Sequence, residues 1–114
     1  MYFTKEDIKN KKITIIGLKK SGYSAAILAY NFGAEVFVSD CEDDNDTRDN
    51  YNKLIKKGIQ CEIGKHSERI FNSNFWVISP GVPKDIDIIH KAKKLNILVL
   101  GEIEFASKFT NKPI

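Results

Sequence analysis

The feature that most constrains this chain is the apolar run Ile13-Thr14-Ile15-Ile16, which leads straight into Gly17-Leu18-Lys19-Lys20-Ser21-Gly22-Tyr23-Ser24. A buried strand that ends in glycine and reopens as a helix leaves backbone N–H groups free at the helix N-terminus. That end carries partial positive charge and favours a phosphate or diphosphate. Gly17 suits the tight turn and Gly22 a close approach of helix to strand. The spacing is Gly-x-Lys-x-x-Gly, so Lys19 stands where a dinucleotide fingerprint has its second glycine. A Cβ there either holds a phosphate further out or leaves the contact to the Lys19 ammonium. Lys19 and Lys20 read equally well as solvated side chains. Ser21 and Ser24 can cap the helix or donate to a phosphate, capping being the default.

The rest of the chain repeats the alternation of apolar run and helical pattern. Strands are expected at Lys12–Ile16, Glu35–Ser39 (ending at Asp40), Ile59–Ile63, Phe75–Ser79 and Ile97–Leu100. Helices are expected at Ser21–Phe32, about Thr47–Lys57, Asp85–Leu95 and from Gly101 to about Phe109, with Gly33 and Gly58 as stops. Continuous apolar strands separated by helices imply βαβ units and a parallel sheet covered on both faces. Right-handed crossovers wind these into one α/β domain, a Rossmann-like doubly wound sheet of about five mainly parallel strands in the order 3-2-1-4-5. At 114 residues the chain has room for one such domain.

Ligands in such sheets sit outside the carboxyl ends of the strands. Three features fall on that edge: the Gly17 turn, Asp40 after the second strand, and Ser79-Pro80-Gly81-Val82-Pro83 after the fourth. Asp40 can accept hydrogen bonds from a ribose or cap its own loop. Pro80 stops the strand, and Gly81 permits either a left-handed backbone or a close ligand. His66 and His90 have no partner at metal or triad spacing and read as turn or surface residues. Trp76 reads as core. Glu102 and Glu104 suit the start of a helix.

The net charge of +3 is carried almost wholly by lysines interspersed with acids, with only Arg48 and Arg69 as arginines. No basic stripe with interleaved aromatics is present, so no nucleic-acid partner is expected. No run is long and apolar enough for a membrane span. Cys41 and Cys61 lack metal-ligand spacing and are expected to be free thiols, so no metal site is expected.

Ile15-Ile16-Gly17-Leu18 with Ser21-Gly22-Tyr23-Ser24, then Gly64-Lys65-His66, Ser79-Pro80-Gly81-Val82-Pro83 and Gly101-Glu102-Ile103-Glu104, resemble the Mur ligases in order and spacing, and within them the D-glutamate-adding branch. The likeness implies that residues 1–114 form the N-terminal, UDP-substrate-binding domain of a three-domain cytoplasmic enzyme of peptidoglycan synthesis. It implies UDP-N-acetylmuramoyl-L-alanine as substrate, with ATP and Mg²⁺ used by the full-length enzyme and no cofactor bound by this domain. Carried over by residue, Gly17, Leu18, Lys19, Lys20, Ser21 and Gly22 match the diphosphate turn. Asp40 and Cys41 match positions lining the uracil, and Ser79 and Gly81 the loop beside diphosphate and sugar. Lys19, Cys41 and Glu42 depart from the family pattern.

The resemblance further implies partner central and C-terminal domains and a monomer. The sequence contains no Gly-x-x-x-x-Gly-Lys-[Ser/Thr], so this polypeptide alone is expected to be catalytically inert. Two other readings use the same turn: an NAD(P)-binding domain of an oxidoreductase, and a stand-alone nucleotide-binding module.

Overall fold

Strands that are apolar along their whole length need cover on both faces, and the order of elements supplies it. The computed structural model describes residues 8–18, 20–80 and 87–107, with nothing described of the side chains at 20, 21, 103 and 106. Strands β1 (Lys12–Ile16), β2 (Glu35–Asp40), β3 (Gln60–Ile63), β4 (Phe75–Ile78) and β5 (Leu98–Gly101) form one sheet in the order β3-β2-β1-β4-β5. All four pairings are parallel. Helices α1 (Lys20–Asn31), α2 (Asn45–Lys56), α3 (Asp87–Lys94) and α4 (Glu102–Ser107) connect or follow them.

Period-two alternation of the strands sorts their side chains into two cores. Ile13, Ile15, Val36, Val38, Val77 and Leu100 pack with Ala25, Ala26 and Ala29 of α1, Leu54 of α2 and Phe105 of α4. On the opposite face Ile16, Trp76 and Ile78 pack with Ile89 and Ala92 of α3 and with Ile70. The sheet is therefore doubly wound, as the sequence pattern requires. Central β4 is buried at every residue, whereas Leu98 on edge strand β5 is 54% exposed.

Two details differ from expectation. Gly101 ends β5 opposite Ile78 instead of opening the last helix. A short 3-10 helix at Glu68–Phe71, capped by the Ser67 side chain, precedes β4. It brings the Ile70 carbonyl to 2.6 Å from Trp76 Nε1, giving the buried indole its acceptor. The remaining helix and strand ends lie within two residues of their expected positions, the usual ambiguity of frayed ends. The expected start of the third helix at Asp85 and the expected end of the last near Phe109 lie outside the described residues.

The β1–α1 turn depends on two glycines. Gly17 has φ 107°, a left-handed conformation that favours glycine. A Cβ on Gly22 would lie 1.7 Å from the Gly17 carbonyl oxygen and 2.7 Å from its carbon. Gly22 therefore packs chiefly against the turn itself, while the strand beneath, at Ile15 Cγ2, is an ordinary 3.6 Å away. Because the obstacle is backbone, Gly22→Ala must displace α1 from β1. It should cost about 3 kcal/mol, in line with overpacked sites, measured as a lowered urea midpoint.

Candidate functional site

β1 ends between β2 and β4, and backbone hydrogen bonds tie both neighbours' ends to it. Gly17 N–H donates to Ser39 O at 2.8 Å, and Ser79 N–H donates to Ile16 O at 3.0 Å. The expected glycine turn, Asp40 and Ser79 thus share one carboxyl edge. Lys19 and Gly81 lie outside the described residues, as do Val82 and Pro83.

Asp40 organises the turn. Its Oδ2 accepts the buried Leu18 N–H at 2.8 Å, and its Oδ1 accepts the Glu42 N–H at 2.8 Å. From the other side, Asn50 Nδ2 of α2 donates to Leu18 O at 2.8 Å. Leu18 is fully buried, and both its backbone groups are occupied. Asp40 is therefore a turn-holding carboxylate 7% exposed, with lone pairs to spare on each oxygen.

The two larger N-termini at this edge differ in charge. α2 begins behind Asp44, whose side chain accepts the Thr47 N–H, and carries Asp46 in its first turn. α1 has no acidic residue in its first turn. Its positive end is thus left uncompensated by its own sequence, the condition under which a helix start attracts an anion.

Beside Asp40 lies a polar cluster that the sequence reading did not assemble. The fully buried Ser39 Oγ sits 2.7 Å from Glu62 Oε2 and 2.7 Å from His66 Nδ1, and Ser67 N–H donates to the same Glu62 oxygen at 2.7 Å. Desolvation opposes ionisation of Glu62, but its bonds from Ser67 and Ser39 and the nearby His66 outweigh it and hold the carboxyl below the usual range. Burial pushes the His66 imidazole down, against the opposing pull of Asp40 and Glu62. The findable signal was position: the 3-2-1 order sets the Gly64-Lys65-His66 turn after β3 directly beside the end of β2. His90, by contrast, is exposed on α3.

Cys41, next to Asp40, is exposed and free. Cys61 is free and buried, and burial pushes its thiol up to about 12, so it is unreactive at neutral pH. Among the described residues no group of three or more His, Cys, Asp or Glu could hold a metal ion.

On the β4–β5 side a cleft of about 520 Å³ opens between α3 and the strand ends, lined by Ser79, Pro80, Lys93, Gly101, Glu102 and Glu104. A second cavity, of about 410 Å³, lies at the amino ends of β1 and β2 among Lys12, Phe37 and Arg69 and contains none of the expected site residues. No helix among the described residues is long and apolar enough to cross a membrane.

Comparison with known proteins adds sequence evidence to this geometry. The family model described as "Mur ligase MurD-like, N-terminal domain" matches residues 11–101. The UDP-N-acetylmuramoylalanine–D-glutamate ligase of Chloroherpeton thalassium is 40% identical over 97% of this chain and 24% of its own length. That of Koribacter versatilis is 41% identical over 90% of this chain and 23% of its own length. The chain thus spans about a quarter of the length of the curated relatives it matches. Among solved structures, UDP-N-acetylmuramate-alanine ligase MurC from Thermotoga maritima superposes with a TM-score of 0.69 at 22% identity, over 85% of this chain and 22% of that one. Shikimate dehydrogenase from Aquifex aeolicus superposes with a TM-score of 0.55 at 16% identity, over 90% of this chain and 46% of that one. Both likenesses concern the fold alone.

The site geometry gives two stability predictions. Asp40→Asn offers an NH2 group to one of its two N–H donors, the buried one of Leu18 or the part-buried one of Glu42, so it should cost about 2 kcal/mol, read from urea unfolding at neutral pH. The second concerns acid. His66, held below its usual value of about 6.5, stabilises fully above that value, and this contribution is lost as pH falls toward the lowered one. Glu62, depressed from about 4.3, contributes above that value and loses it as pH falls through the depressed one. Unfolding midpoints should therefore decline below about pH 6.5. His66→Asn should flatten the upper part of that decline and Glu62→Gln the lower.

Proposed function

Since the chain belongs to the Mur ligase MurD-like N-terminal domain family, we propose that it is the N-terminal domain of a UDP-N-acetylmuramoyl-L-alanine:D-glutamate ligase and that its carboxyl edge holds the UDP part of that substrate. The observation that carries the reading is the Gly17–Gly22 turn. It presents a helix start with no acid of its own, on the same edge as Asp40 and Ser79, in a chain whose relatives are ligases acting on a UDP-linked substrate.

In this reading the diphosphate lies over the first turn of α1, against Gly17, Lys19, Lys20, Ser21 and Gly22. The Leu18 amide is committed to Asp40 and serves to shape the turn. Asp40 and Cys41 border the nucleoside at the end of β2. Ser79 and Gly81 border the diphosphate and sugar, and the cleft along Gly101 and Glu102 continues in that direction.

The whole enzyme would phosphorylate the substrate carboxylate with ATP and Mg²⁺, and the amino group of D-glutamate would displace the phosphate to form the amide. That chemistry belongs to the other parts of the relatives' length. These 114 residues contain no P-loop sequence, and their share is to hold and orient the nucleotide end. A cytoplasmic enzyme acting as a monomer, with no nucleic-acid or membrane partner, completes the proposal.

Titration of the labelled chain with UDP-N-acetylmuramoyl-L-alanine should move the amide signals of Leu18, Gly22, Asp40 and Ser79, while NAD and NADP leave them in place. The opposite pattern would assign the edge to a dinucleotide. The same substrate should slow alkylation of exposed Cys41, read by mass spectrometry. An unchanged rate would move the nucleoside away from the end of β2.

A further inference from the structure

In the sequence His66 reads as a turn or surface residue, yet its ring is fixed by a network that dictates its proton. Ser39 Oγ has one hydrogen and two close neighbours, Glu62 Oε2 and His66 Nδ1, each at 2.7 Å. Glu62 is an ionised carboxylate that accepts from Ser67 N–H as well, so it can only accept. The Ser39 hydrogen therefore goes to Glu62, and Ser39 Oγ must receive the Nδ1–H of His66. A neutral imidazole protonated at Nδ1 carries its lone pair on Nε2.

That Nε2 is unused by the described protein. No hydrogen bond to it is found, and His66 has no further polar partner beyond those named. It is also not sealed in. Thr47 Oγ1 is the sole buried side-chain nitrogen or oxygen left unpaired among the described residues, and His66 is half-buried, so Nε2 reaches the surface. Its location is the end of β2: Ser39, which fixes the ring, immediately precedes Asp40, and Asp40 is close enough to pull on the imidazole's charge. Among the described residues, the charges that act on the ring are those of Asp40 from β2 and Glu62 from β3.

We propose that His66 Nε2 is a hydrogen-bond acceptor for the base of the bound nucleotide, taking the imide N–H of uracil, with Ser39 and Glu62 as positioning residues that hold the required tautomer. This rests on the UDP reading above and adds a specificity-determining residue to it. An acceptor locked in this way selects a base that presents an N–H donor. It works against a base edge that presents only acceptors, since two lone pairs would then face each other.

Two substitutions separate the roles of the two ring nitrogens. His66→Asn can still donate to Ser39 from its amide but places nothing at the Nε2 position. His66→Gln reaches the Nε2 position with an amide oxygen but gives up the Ser39 bond. Binding of UDP and of N3-methyl-UDP, which lacks the imide hydrogen, would be measured by calorimetry at fixed pH. The same three proteins would be checked for folding by urea unfolding.

The wild-type chain should lose about tenfold in affinity on N3-methylation, the worth of one hydrogen bond. His66→Asn should lose about the same for UDP and nothing further on methylation, whereas His66→Gln should recover most of the UDP affinity. Equal methylation penalties in wild type and His66→Asn, or unchanged UDP binding by a folded His66→Asn, would overturn the inference and leave the UDP reading standing. A folded wild-type chain that binds no uridine nucleotide would remove that reading and this inference with it. Should His66→Asn fail to fold, the methylation penalty of wild type against that of His66→Gln decides: a penalty in neither protein overturns the proposal.

Discussion

The carboxylate of Asp40 is the constraint on which the carboxyl edge of the sheet depends. It ties the end of β2 to the turn after β1, 22 residues away in sequence, through Leu18 N–H, and folds the acidic loop that directly follows it through Glu42 N–H. A backbone N–H bonded to a carboxylate is among the stronger neutral-to-charged contacts a protein makes. Leaving such a donor buried and unpaired would cost about 1–3 kcal/mol. Asn50 closes the same turn from α2 by binding Leu18 O. With both backbone groups of Leu18 fixed, the direction in which α1 departs is fixed too. The Gly17–Gly22 contact can then be as close as it is without the turn opening.

This arrangement also explains a division of labour between two acidic positions. Asp40 faces inward and spends its oxygens on the fold. Glu62, one strand further out, spends its oxygens on Ser39 and Ser67 and so sets the proton of His66. The polar network at the carboxyl edge is thus continuous from the glycine turn to the loop after β3, with each charge answered by a donor. Continuity of this kind is what preorganises a polar site, because the groups facing a ligand are held by others that do not face it.

Much of this was legible in the sequence, for identifiable reasons. The five strands are continuous apolar runs, a pattern that survives without knowledge of neighbours. Right-handed crossovers then leave few arrangements, and 3-2-1-4-5 is the one found. Gly17, Gly22, Asp40 and Ser79 could be placed on one edge by topology alone. What topology does not encode is which lone pair meets which proton. Asp40 reads as a ribose ligand or a loop cap, and its bond to the Leu18 N–H, 22 residues away, leaves no local trace in the sequence. Asn50, 32 residues from Leu18, carries no local signal of its contact. Ser39 is an ordinary strand residue in sequence. Its role with Glu62 and His66 follows from the register of β2 on β3, which pairs Ser39 with Glu62.

The β4–β5 half of the edge follows a different logic. Gly22 is demanded by the fold, since any Cβ would strike the Gly17 carbonyl. Gly101 is not: a Cβ there meets no atom of the described residues within 4 Å, and its backbone does not have the positive φ that favours glycine. The packing of the described residues therefore gives no reason for a glycine at the end of β5. A side chain at that position would stand in the cleft shared with Ser79, Pro80 and Glu102. In the proposed reading this cleft continues from the diphosphate toward the sugar, so the space left by Gly101 serves what lies over the sheet and not the sheet itself. Gly22 and Gly101 thus do opposite things at the carboxyl edge. One is small because the protein is close, and the other is small where the protein leaves room.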